Sequence, residues 1–142
     1  MSAWRELSER FSDFERTQNR IVTNSAATDA DWRRTLVGLR KQLQDSVVGM
    51  RTALRACEIA GADAVACRDF ASALSEMRGI LALHQAQWPA VAIDPADVAY
   101  QRSVQALRRA GSEFRGNARA LIQRLRRRRW LPIGNGPSPA DC

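Results

Sequence analysis

Apolar residues along this chain return every three or four positions through four segments, which is the period of an α-helix, and no stretch keeps the strict alternation of a strand. The first segment, about residues 3–23, carries Trp4, Leu7, Phe11, Phe14 and Ile21 on one stripe, with polar Gln18 where another apolar residue is due. It ends at Asn24-Ser25. The second begins after Thr28 or Asp29, either of which has a side-chain oxygen suited to accept from the free amides of a first turn. Its stripe is Trp32, Leu36, Leu39, Leu43, Val47, Met50, Leu54 and Cys57. Leu36 to Val47 and Leu43 to Leu54 are spaced nearer the period of a straight helix than a strict heptad, which predicts a compact bundle rather than a long supercoil.

Gly61-Ala62-Asp63 then supplies a helix-ending glycine and a new capping acid. The third segment places Cys67, Phe70, Leu74, Met77, Leu81, His84 and Trp88 on one face until Pro89 stops it. Residues 89–93 are not helical throughout, and Asp94-Pro95 is predicted to restart a helix, with Asp as the cap and Pro at the first helical position. The fourth segment runs to about Arg129 with Tyr100, Val104, Leu107, Gly111, Phe114, Ala118, Leu121 and Leu125 facing inward. From Leu131 the chain is rich in Pro and Gly and is expected to be a flexible tail.

Four amphipathic helices joined by short connections predict an all-α fold: an antiparallel four-helix bundle with a basic C-terminal helix and a disordered tail. Residues 1–130 form one domain in this reading, and residues 131–142 the tail. The competing arrangement is a homo-oligomer, with a three-helix core and the first helix swapped onto a partner. A length of 142 residues suffices for one core, and 45% hydrophobic against 26% charged residues is a folding composition rather than a disordered one. No apolar run approaches the roughly 20 residues of a membrane span, and the chain opens on alternating charge rather than an apolar signal core. A cytoplasmic protein is the default, with export by a signal-free route the exception.

Charge changes the picture more than composition does. The net charge is +7, and all but one of the 22 basic residues are arginines, Lys41 being the exception. Between Val98 and Trp130 ten arginines stand against a single acid, Glu113. A GC-rich genome accounts for a bias toward Arg and Ala. The planar guanidinium also grips phosphate and carboxylate bidentately, where lysine offers a point charge. The candidate contact residues for an anionic partner are Arg108, Arg115, Arg119, Arg124, Arg126, Arg127, Arg128 and Arg129. Nucleic-acid backbone is the first choice of partner, bound without sequence specificity because no base-reading element is visible. An acidic protein surface comes next, and peripheral membrane contact after it, since Trp130 and Leu131 beside the arginines suit a headgroup interface. The chain is read as a non-enzymatic binding or scaffolding protein. The alternative is a protein-interaction module, an adaptor, export chaperone or small subunit, that uses aromatic residues such as Trp4, Phe11 and Trp32.

Other chemistry is sparse. One histidine makes neither a metal cluster nor an argument for a nucleophilic triad, and the glycines of the fourth segment lack a phosphate-loop context, so neither metal nor cofactor is expected. Gly111 and Gly116 are read as sites where another helix of the bundle packs closely, a docking groove for a partner helix being the alternative. Cys57 and Cys67 flank the glycine turn, near one level of a helical hairpin. Two buried thiols are the ordinary reading, and a disulfide between them is the sharper one. Cys142, at the end of the tail, is incidental. The run Arg78-Gly79-Ile80-Leu81-Ala82-Leu83-His84 has the R-x5-H form and is similar to the short motif of HEPN ribonucleases, which are small all-helical proteins. That resemblance implies that Arg78 and His84 serve phosphodiester cleavage. It covers seven residues, and Gly79 stands where the family commonly has a polar residue. The enzymatic reading therefore ranks last.

Overall fold

The computed structural model describes residues 2–25 and 30–128. It consists of α1 (Ala3–Ser25), α2 (Trp32–Ile59), α3 (Ala64–Gln87) and α4 (Val98–Arg128), with one 3-10 turn at Ala90–Ala92 between the last two helices. They pack as the predicted all-α antiparallel four-helix bundle, α1 lying between α2 and α4, and α3 completing the square. The opposed directions of α1 and α4 show at their ends, where the Arg126 guanidinium sits 5.5 Å from the centre of the Trp4 ring.

The α2–α3 turn forms as the glycine and aspartate require. Gly61 has φ +83°, its amide donates to the Glu58 carbonyl at 3.1 Å, and the Ala62 amide donates to that of Cys57 at 3.0 Å. This is a Schellman closure, and it needs the left-handed conformation that glycine adopts without steric penalty. Asp63 then caps α3, one carboxylate oxygen accepting from Val65 and Ala66 amides at 3.1 Å each.

Two helix starts differ from the sequence reading. Thr28 and Asp29, the expected caps of α2, lie outside the described residues, and α2 begins at Trp32 after Asp31, whose side chain makes no capping bond. Asp94-Pro95 forms a turn instead of starting α4. The Asp94 carboxylate accepts from Ala96, and its carbonyl from Asp97, both at 3.0 Å. Proline at the second position of such a turn is as favourable as at a helix start. Asp97 caps α4, accepting from Ala99 at 2.8 Å.

Burial follows the predicted stripes. Leu7, Phe14, Met50, Phe70, Leu74, Met77 and Leu125 are sealed from solvent. All four phenylalanines of the chain meet at one point: Phe11, Phe14 and Phe70 each set an edge against Phe114, with centroids 6.2, 5.3 and 6.2 Å apart. Such edge-to-face packing adds about 0.5–1.5 kcal/mol per pair beyond area burial. Cys57 and Cys67 both lie in this core. A smaller cluster of Leu36, Ala90, Ile93 and Tyr100 fills the other end of the bundle. There α2 fixes the linker, Arg33 donating to the Ile93 carbonyl and Arg40 to that of Trp88, both at 2.8 Å.

Candidate anion-binding site

Nine of the ten arginines of the fourth segment belong to α4, and at 100° per residue the eight whose side chains are described divide into three sets. Arg108, Arg115, Arg119 and Arg126 share the flank beside α1. Arg124 lies on the opposite flank. Arg102, Arg109 and Arg127 face outward, away from the buried stripe. The Arg128 side chain, Arg129, Trp130, Leu131 and the expected flexible tail lie outside the described residues.

The flank beside α1 is not a bare cationic strip, because its arginines meet residues of α1. Arg115 donates to Gln18 Oε1 at 2.6 Å, Arg119 pairs with Glu15, and Arg126 covers Trp4. These three contacts descend in antiparallel register and clasp α1 to α4. On the other flank Arg124 donates to Asp63 Oδ2 at 3.1 Å, joining α4 to the cap of α3. Both paired arginines stay accessible, Arg119 being 60% and Arg124 43% exposed. Exposed pairs of this kind contribute about 0–1 kcal/mol each and weaken with salt, so a denser anion competes with them readily. Arg109 and Arg127, with Arg102, are exposed, and among the described residues none of the three has an ion-pair or hydrogen-bond partner.

Arg108 belongs to the α1 flank but lies level with the end of α1, beyond its acids. It borders a cavity of about 250 Å3 between the end of α1, the start of α2, the end of α3 and the first half of α4. Leu36, Leu81 and Leu107 form much of the wall, and Arg40, Arg115, His84 and Tyr100 supply polar groups. Burial lowers the Arg40 pKa from its ordinary value, with the Tyr100 hydroxyl partly opposing the change. Burial likewise raises that of Tyr100, which the Arg40 charge partly offsets. The His84 pKa falls to about 4, through burial first and the Arg40 charge second, so its ring is neutral near pH 7. Its Nδ1 lies 2.8 Å from Ser103 Oγ, and its ring stacks obliquely on Tyr100.

Sequence reasoning missed Arg40 and Tyr100 as parts of one site. A signal existed in part: Arg40 stands four residues after Leu36 and three before Leu43, on the border of the buried stripe. The pairing of Arg78 with His84 is not assembled here. Arg78 is exposed and does not border the cavity that His84 lines, as expected of residues about 120° apart around a helix. Gly111 supports the expected close helix approach, but Gly116 has open space about its Cα. Among the described residues no group of acids, histidines and cysteines has the makings of a metal site, and no helix is long and apolar enough to cross a membrane. No protein-family model, curated protein or solved structure matches this chain.

Proposed function

We propose that this chain is a non-enzymatic helical binding protein whose α4 contacts an anionic partner, with nucleic-acid backbone, bound without sequence specificity, as the partner best suited. The observation that carries this reading is the exposed row Arg102, Arg109 and Arg127 on α4. The row extends about 38 Å at 1.5 Å per residue and spans several phosphate spacings. The flank residues Arg119 and Arg124, half exposed and held by weak pairs, stand beside it and can turn to a polyanion. Among the described residues nothing resembling a base-reading element accompanies them, which favours backbone contact over sequence recognition.

Of the aromatic residues suited to a protein-interaction module, Trp4 and Phe11 are 8% and 4% exposed and serve the core, while Trp32 is partly exposed beside the smaller cluster. That leaves the basic face as the better-supported contact surface. The test is binding to a labelled duplex and a labelled single strand across a salt series, for the wild type and for Arg102→Glu/Arg109→Glu/Arg127→Glu. These three residues have no ion-pair or hydrogen-bond partner among the described residues, so the variant should keep its melting temperature. If the reading holds, wild-type affinity falls steeply with salt, and the variant's slope is shallower by roughly 0.9 for each phosphate it no longer neutralises. Equal binding by both proteins would remove the α4 face from consideration.

A further inference from the structure

The cavity at the end of the bundle is chemically different from the outer face of α4. Its wall is largely apolar, yet three arginines from two helices border it: Arg40 on α2, and Arg108 and Arg115, two turns apart on one side of α4. No carboxylate borders it among the described residues. Elsewhere on α4 two more exposed arginines face acids, Arg124 facing Asp63 and Arg119 facing Glu15. Arg40 instead gives one N–H to the Trp88 carbonyl, a neutral acceptor, at 2.8 Å. Arg115 similarly gives one to the neutral Gln18 amide. Each guanidinium has five N–H donors, so both keep the capacity for another acceptor. A positive charge withdrawn from water without a counter-charge is costly, and an anion beside it recovers part of that cost.

We propose that this cavity binds a small organic anion, an apolar body bearing one carboxylate. The body lies against Leu36, Leu81 and Leu107, and the carboxylate accepts hydrogen bonds from the arginine-bearing side of the cavity. The volume fits such a ligand, since an apolar cavity of roughly 150 Å3 already holds benzene. A single charge suits a largely apolar wall better than a doubly charged phosphate, which loses more hydration on entry. The planar fork of a guanidinium matches the two oxygens of a carboxylate. The Tyr100 hydroxyl, which also lines the space, is a further donor.

Octanoate, octanol and octylammonium, of similar length and different charge, form the test when titrated into the full chain and followed by calorimetry and tryptophan fluorescence. Octanoate is expected to bind saturably, octanol about tenfold more weakly, and octylammonium not at all. Arg108→Gln, at an exposed position, should weaken octanoate about tenfold, and Val104→Phe, which fills the cavity, should abolish binding. Octanol binding as tightly as octanoate, no saturable octanoate binding, or unchanged affinity in Arg108→Gln would each overturn the proposal. The Arg102→Glu/Arg109→Glu/Arg127→Glu variant should bind octanoate like the wild type, so that failure of the nucleic-acid reading and failure of this one are separate results.

Discussion

Gln18 of α1 and Gly111 of α4 meet so closely that a Cβ on residue 111 would stand 2.8 Å from Gln18 Nε2. The amide is buried, at 9% exposure, and accepts from Arg115. The polar gap in the stripe of α1 and the glycine in the stripe of α4 are therefore two halves of one contact.

Gly111→Ala tests that contact. Alanine favours a helix interior by up to about 1 kcal/mol over glycine, while displacing a buried, bonded amide costs about 1–3 kcal/mol. The substitution should destabilise the wild type by about 1 kcal/mol and stabilise a Gln18→Ala background. Urea denaturation of the four proteins measures the coupling, and an identical effect in both backgrounds would show that the two residues act independently.

Asp63 caps α3 with one oxygen and holds Arg124 with the other. Asp63→Ala should cost about 1–2 kcal/mol, and Asp63→Asn, which keeps a capping oxygen, less than about 1. Equal losses in thermal melts would mean that the cap contributes little.

His84 makes stability depend on pH with a definite sign. Its folded pKa of about 4 lies below the ordinary 6.5 of an unfolded histidine, so the unfolded chain binds the proton first. Stability is complete above pH 6.5 and falls as the pH drops toward 4, by up to about 3 kcal/mol. The groups around it are Arg40 from α2 and Tyr100 and Ser103 from α4, and none titrates in that window. His84→Gln should lose this component when melts from pH 4 to 7 are compared with wild type. Parallel profiles would assign the acid sensitivity to the carboxylates.

Gly79 and Gly116 stand in helix interiors with open space where a Cβ would go. Alanine at either should add about 0.5–1 kcal/mol, and the two gains should sum, since the sites share no partner. A loss at Gly116 in denaturant titrations would point to a contact with residues outside those described.

The helices, their inward faces and the glycine turn are legible in the sequence because each is a local property. Period places Phe11, Phe14, Phe70 and Phe114 on buried stripes, but only packing brings them to one point. Asp94-Pro95 misleads because Asp followed by Pro serves a turn and a helix start equally well, and Asp97 takes the capping role instead. The arginines are countable and even sortable by angle, since steps of seven, four and seven return to one flank. That Glu15 and Gln18 stand opposite depends on how α1 registers against α4, which no local pattern records. The cavity is less legible still, because it is a space left between four helix ends.

The clasp along α1 has a thermodynamic consequence. A guanidinium turned wholly toward Glu15 is not available to a phosphate at the same moment, so the Arg119–Glu15 contact and capture of a polyanion by Arg119 compete with one another. By linkage, whatever loosens α1 sharpens the flank as a binding surface, and whatever occupies the flank loosens α1 by the same free energy. The amides of α1 would then report, through faster hydrogen exchange, on a ligand that touches only α4.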